Sequence, residues 1–275
     1  MKQAGVFLKK NKSFAVFAAL ALAIVAVAVF APWIAPYDPY EAVMTDAVQA
    51  PSAAHWFGTD KLGRDLFSRV IFGTRTSLAA ALFLVAVISV FGTMAGVAAG
   101  YFGGMVDSVI MRISDMMIAF PGMVLAIAVA GIMGAGIVNG VIAIAIVSWT
   151  KYARLARSLV LKMKNRDFVA AARLTGSTTW HILWRYMLPN VIPTLIVTGA
   201  TDIGTMILEL AGLSFLGFGA QPPVPEWGLM LNEGRAYMQT APWLMLFPGL
   251  AIVLVVVVFN LLGDSLRDML DPRNE

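Results

Sequence analysis

Apolar residues run through this chain in long blocks separated by short charged segments. Ser13 to Tyr37, Thr76 to Val106, Met116 to Thr150 and Ala236 to Gly263 contain no charged residue. A further apolar segment, Val191 to Leu216, is interrupted only by Asp202 and Glu209. Roughly 20 consecutive apolar residues cross the hydrocarbon core of a bilayer as a helix. The block from Met116 is too long for one such helix, and Gly131, Gly134, Gly136, Asn139 and Gly140 supply turn residues inside it. It divides into two spans, the first beginning near Met111 and the second ending near Ala156. The pattern predicts an all-α polytopic membrane protein with six transmembrane helices, the first of them ended by Pro32 and Pro36.

Composition agrees with that pattern. Of 275 residues, 59% are apolar and 13% charged, against about 25% charged in soluble chains, and the mean hydropathy is +0.79. The absence of cysteine excludes a disulfide framework and thiolate metal chemistry. His55 and His181 lie far apart in sequence, which argues against a histidine-rich metal site. A net charge of +4 fits the basic loops of a membrane protein better than a nucleic-acid surface.

The placement of lysine and arginine orients the chain. With the N-terminus in the cytoplasm, Lys2, Lys9, Lys10, Lys12, Arg112, the eight basic residues from Lys151 to Arg185, Arg267 and Arg273 lie inside. Lys61, Arg64, Arg69, Arg75 and Arg235 lie outside, which accounts for all 20. Both termini are therefore expected in the cytoplasm. The first apolar block, too long for the core of a signal peptide, is read as a retained helix. The expected organisation is a tail and first helix over 1–36, an extracytoplasmic segment over 37–77, a five-helix core over 78–265 with a cytoplasmic loop at 151–190, and a tail over 266–275.

The inner loop carries more than charge. Asp167 suits an N-cap for a helix from Phe168, Ala170, Ala171 and Ala172 give that helix a small-residue face, and Gly176 suits the position just past its end. A second helix is expected from Ser177 or Thr178 through Trp180, Ile182, Leu183 and Tyr186 to Leu188, stopped by Pro189. Such an apolar helical pair outside the bilayer calls for a protein to pack on.

Ala170-Ala171-Ala172, three residues, Gly176, nine residues, Tyr186-Met187-Leu188-Pro189 resembles the cytoplasmic coupling loop of binding-protein-dependent ABC importer permeases. It departs from their pattern at Ala170, where they carry Glu, and at Tyr186, where they carry Ile. Phe57-Gly58-Thr59-Asp60 with Gly63-Arg64-Asp65-Leu66-Phe67-Ser68-Arg69 is similar to the outer segment of C-type permeases of dipeptide, oligopeptide and nickel importers. Ser214 to Gly228 and Phe247 to Asp268 are similar to their later segments. The resemblance implies a type I ABC importer permease fold in a bacterial-type inner membrane. The implied partners are a second permease subunit, two cytoplasmic ATPase subunits that bind the ATP and Mg, and an extracytoplasmic solute-binding protein. It implies no cofactor and no catalytic residue in this chain. No Gly-x-x-x-x-Gly-Lys-Ser/Thr phosphate loop occurs in it.

Three groups of charges remain. Asp60, Arg64 and Asp65 are candidates for a contact with the binding protein or for a gate; a surface turn, with Leu66, Phe67, Val70 and Ile71 on the membrane surface, accounts for them equally. Asp202 and Glu209, two helical turns apart, share a face of the fifth span and are candidates for a path that favours a cationic substrate, or for a structural role. Arg112 and Asp115 are expected to pair within one helix. The compact outer segment leans towards the nickel or metal-chelate branch over peptides. An ATP-independent secondary transporter or channel, with Asp202 and Glu209 as a relay, is the alternative, and a membrane enzyme is a weaker third.

Overall fold

A computed structural model of the chain describes residues 12–270. Lys2, Lys9, Lys10 and Arg273, which enter the orientation argument, lie outside the described residues. Among the described residues ten α-helices carry the fold: α1 (Lys12–Ile34), α2 (Leu66–Phe102), α3 (Gly104–Ile118), α4 (Gly122–Met133), α5 (Ile137–Lys164), α6 (Asp167–Leu174), α7 (Thr179–Ile182), α8 (Leu188–Phe215), α9 (Trp227–Gly234) and α10 (Trp243–Leu270).

Helix α2 is the axis of the molecule. Asp65 caps it by accepting the Ser68 N–H at 2.7 Å, so it begins at Leu66 rather than at the charge-free boundary near Thr76. Leu66, Phe67, Val70 and Ile71 are therefore its first turns and not a separate helix on the membrane surface. At 37 residues it is about 55 Å long, well beyond the roughly 30 Å of a hydrocarbon core.

Gly92, Gly96 and Gly100 repeat every four residues on one face of α2 and bring it against the backbone of α5. A Cβ on Gly96 would lie 2.1 Å from the Ala153 carbonyl oxygen, and one on Gly92 2.4 Å from that of Trp149. Small residues at this spacing let two helix backbones approach, the usual device for packing where lipid removes the hydrophobic drive. Since Gly92 meets Trp149 and Gly100 meets Arg157, the two helices run parallel, and the chain between them returns across the bundle.

That return is made by α3 and α4, which meet at 92°. Pro121 sits at the break as the N-cap of α4; the residue before a proline is disfavoured in helix and the proline has no N–H to give. The single span expected from Met111 is thus a bent pair. The turn expected among the glycines falls at Gly134–Gly136, where Gly134 has φ +86°.

Among the described residues, four segments are each long and apolar enough to cross a membrane: α1, α2, Thr179–Phe215 and α10, with the bent pair a fifth. Helix α5 is apolar only as far as Thr150 and then turns basic. Helix α1 runs through Pro32 and ends before Pro36. Helix α8 packs on α10 and crosses α5, and α9 returns against α2, where Trp227 donates its indole N–H to the Val70 carbonyl at 3.0 Å.

Candidate functional site

The loop after α5 folds as two short helices. Asp167 is the first residue of α6, one position later than a cap, and makes no capping bond; Arg166 precedes it. Its carboxylate still lies at the positive end of the helix. Gly176 stands just past the other end with φ +79°, its N–H bonded to Arg173 O at 3.0 Å and that of Ser177 to Ala172 O at 3.0 Å. This pair of bonds is the Schellman closure, which requires a left-handed residue. Nothing stands within 4 Å of where a Gly176 Cβ would be, so backbone conformation alone demands glycine there.

Helix α6 is two-faced. Val169 and Ala172 are buried in the same core as Ile182, Leu183 and Met187. Ala170 and Ala171 face outwards, and Leu174 is 89% exposed. Trp180 and Trp184, four residues apart, are exposed as well. The Tyr101 ring at the end of α2 receives Arg173 at 5.7 Å and Lys164 at 5.9 Å, and Phe168 packs against Tyr186. The pair is thus anchored on the bundle with an apolar face turned away from it.

Pro189 does not stop the second helix. After α7, whose N-cap Thr178 accepts the His181 N–H at 3.3 Å, residues Leu183–Met187 form a π turn and the chain continues into α8 with Leu188 and Pro189 in its first turn. The wider turn changes the hydrogen-bond register ahead of the proline, which supplies no N–H and crowds the carbonyl four residues before it. Helix α7, the π turn and α8 are therefore one continuous rod.

Basic residues of this region are tied to α3. Arg157 holds Asp107 through two bonds at 2.5 and 2.6 Å, and Arg154 reaches Asp115 at 2.5 Å and Ser114 at 3.2 Å. Asp115 therefore pairs across helices and not with Arg112, which is exposed.

Within the bundle, Asp202 and Glu209 differ in their surroundings. Asp202 is buried and accepts from Lys151 Nζ of α5 at 2.5 Å. Glu209 is half-buried and lines a groove of about 460 Å³ with Thr205, Met123 and Asn260. Gly204 lets α8 approach α10 closely at that groove, since a Cβ there would meet Asn260 Oδ1 at 2.9 Å and the Val256 carbonyl oxygen at 3.1 Å.

Asp60, Arg64 and Asp65, expected at a surface, are buried, with Arg64 only 1% exposed. Arg64 Nε bonds Asp60 at 2.6 Å, and its other nitrogen reaches Glu233 of α9 at 3.2 Å. Arg69 bridges the same two carboxylates at 3.4 Å each. Asp65 is engaged by Ser68 and by His55 Nδ1 at 2.9 Å. Turned inwards in this way, these groups clamp the 37–65 segment to α9. Nearby, Glu226 caps α9 by accepting from Gly228 and Leu229. Burial pushes its carboxyl above the ordinary range, and those two bonds and the hydroxyls of Ser214 and Ser77 oppose the shift.

Glu233, Arg69, Lys151 and the Gly92-Gly96-Gly100 face were missed from sequence. The glycines were findable, because small residues four apart in an apolar run signal close helix packing. The pairs of Lys151 with Asp202 and of the arginines with Glu233 were not, since those partners lie 51 to 169 residues away.

Residues 92–275 match the family described as binding-protein-dependent transport system inner membrane component, and residues 2–51 match the N-terminal TM domain of oligopeptide transport permease C. The chain is 49% identical over 253 residues to the glutathione transport system permease protein GsiD of Pectobacterium atrosepticum, covering 92% of this chain and 84% of that one. It is 45% identical over 266 residues to the dipeptide transport system permease protein DppC of Alkalihalophilus pseudofirmus, covering 97% and 88%. The inward-facing MetNI methionine ABC transporter matches with a TM-score of 0.59 over 74% of this chain and 97% of that one at 16% identity, a likeness of fold. The chain thus belongs to the inner-membrane components of binding-protein-dependent transport systems, as a non-catalytic, multi-pass permease subunit of the peptide-type ABC importers.

Proposed function

We propose that this chain is one of two permease subunits that together form the membrane path of an ATP-driven peptide importer, and that α6 and α7 are the part held by a cytoplasmic ATPase. In this arrangement six spans cross the membrane, with α5 as the fourth and both termini in the cytoplasm. Two ATPase subunits bind the ATP and Mg. A solute-binding protein delivers substrate at the opposite face.

One observation carries the proposal. Ala170, Ala171 and Leu174 are exposed on α6, and Trp180 and Trp184 are exposed on the segment that follows, which leads without interruption into α8. An apolar patch outside the bilayer is stabilised by a protein partner. Attachment to a rigid rod lets movement of that partner tilt α8 and α10 together. Asp167, Tyr186, Leu188 and Pro189 serve the frame: the first charges the start of α6, and the others connect α7 to α8.

Glu209 favours a peptide's cationic amino group in the path, supported by its position on the α8–α10 groove beside Thr205 and Asn260. Asp202 has its charge met by Lys151 and contributes by holding α5 to α8. Peptides are preferred over nickel or metal chelates as substrate, because the relatives named above transport glutathione and dipeptides.

The test is co-purification. Leu174→Asp and Trp184→Asp are expected to release the ATPase subunits while the chain still inserts in the membrane. Retention of the ATPase by the double variant, with undiminished ATP-driven uptake of dialanine, would overturn the proposal.

A further inference from the structure

A cavity of about 820 Å³ lies between α2 and α5, near the end of the bundle that carries residues 37–65. Its walls are Phe72, Phe83, Val87, Val138 and Ile142. Along α2 the lining extends from Phe72 to Val87, about 22 Å of helix, and one leaflet of a bilayer holds about 15 Å of hydrocarbon. The groove therefore has the length and the apolar surface for a single acyl chain lying along the protein. Its volume falls within the roughly 300–1,000 Å³ of cavities that hold small ligands.

Arg75 lies towards one end. It is the one cation of the lining, no acid lines the groove with it, and it makes no ion pair or hydrogen bond among the described residues. It also stands immediately before the charge-free run that begins at Thr76, where the helix enters the apolar layer and an arginine reaches back to the interface. Tyr40, 49% exposed, faces the same cavity and supplies a hydroxyl. The adjoining acid, Asp38, is turned to the backbone, accepting the Tyr40 N–H at 2.8 Å.

We infer that this groove is a binding site for an anionic phospholipid, with Arg75 and Tyr40 holding the phosphate headgroup and the α2–α5 groove holding an acyl chain. A guanidinium recognises phosphate oxygens by paired, charge-assisted hydrogen bonds. A transmembrane helix of another subunit laid over the groove would have to bury Arg75 or bring a carboxylate to it.

The experiment uses the whole transporter, purified with its subunits from nanodiscs of equal parts phosphatidylglycerol and phosphatidylethanolamine, and counts retained lipid by native mass spectrometry. Wild type and Arg75→Lys are expected to retain phosphatidylglycerol in preference. Arg75→Gln is expected to lower that retention about tenfold, the loss of one charge-assisted bond. Equal retention of the two lipids by wild type, or unchanged retention by Arg75→Gln, would overturn the inference. A photoreactive residue at exposed Val138 gives a second reading: a lipid adduct is expected, and an adduct with another polypeptide overturns the site.

Discussion

Lys151 of α5 and Asp202 of α8 form an ion pair at 2.5 Å in which the carboxylate side chain is 4% exposed and the lysine 59%. The asymmetry decides which substitution does more damage. Removing the lysine leaves a buried carboxylate with no counter-charge, whereas Asp202→Asn leaves a neutral acceptor for an ammonium that already reaches solvent. Lys151→Met is therefore expected to lower the thermal stability of the purified protein more than Asp202→Asn. The double variant should recover most of the loss. A melting curve of Lys151→Met that superimposes on wild type would show that the pair contributes nothing.

The closest helix approach in the core makes a sharper forecast. Gly96→Ala places a Cβ 2.1 Å from the Ala153 carbonyl oxygen, so α2 and α5 must separate. Overpacking of this kind costs about 1–3 kcal/mol. Gly122→Ala is the control, because its Cβ would meet only Val147 Cγ1 at 3.6 Å, an ordinary contact. Thermal unfolding in detergent should rank wild type and Gly122→Ala together and Gly96→Ala well below.

Glu233 offers a test at the opposite end. Its carboxylate sits among Lys61, Arg64 and Arg69, and both arginine side chains are 1% exposed. Glu233→Gln leaves two buried guanidinium groups with Asp60 as their remaining shared carboxylate, and breaking a buried pair costs about 3–5 kcal/mol. The 37–65 segment should loosen from α9. Limited proteolysis of the purified protein is expected to cut that segment faster in Glu233→Gln than in wild type, while unchanged protection would remove the clamp from the account.

What was legible from sequence divides along physical lines. Features set by neighbours in the chain were readable: the turn at Gly134–Gly136 and the left-handed residue at Gly176. The long apolar blocks were visible because exclusion of charge from lipid is a local rule, and among the described residues four of the segments, or five with the bent pair, are long and apolar enough to cross. The failures have two sources. Asp60, Arg64 and Asp65 read as surface charges because nothing near them shows that Glu233 folds over them. Pro121 and Pro189 act in opposite directions. Pro121 breaks a segment taken as one span, and Pro189 lies within a rod expected to end there because a π turn accommodates it. A proline states only that one N–H is missing, and tertiary packing decides whether the helix bends or continues.

Gly176 permits the most selective test of the loop, because shape and conformation can be separated there. Its φ of +79° disfavours any β-branched residue, yet the surrounding space is empty to 4 Å. Asparagine tolerates the left-handed region and valine does not; for L-residues the cost is about 1–2 kcal/mol. If the Schellman closure that ends α6 sets the angle between α6 and α7, Gly176→Val should lose ATP-driven uptake while Gly176→Asn retains most of it, despite the similar bulk of the two side chains. Loss in both variants would instead mean that a partner surface packs too closely against position 176 to admit a side chain. Full activity in both would mean that the angle between the two short helices has no part in coupling.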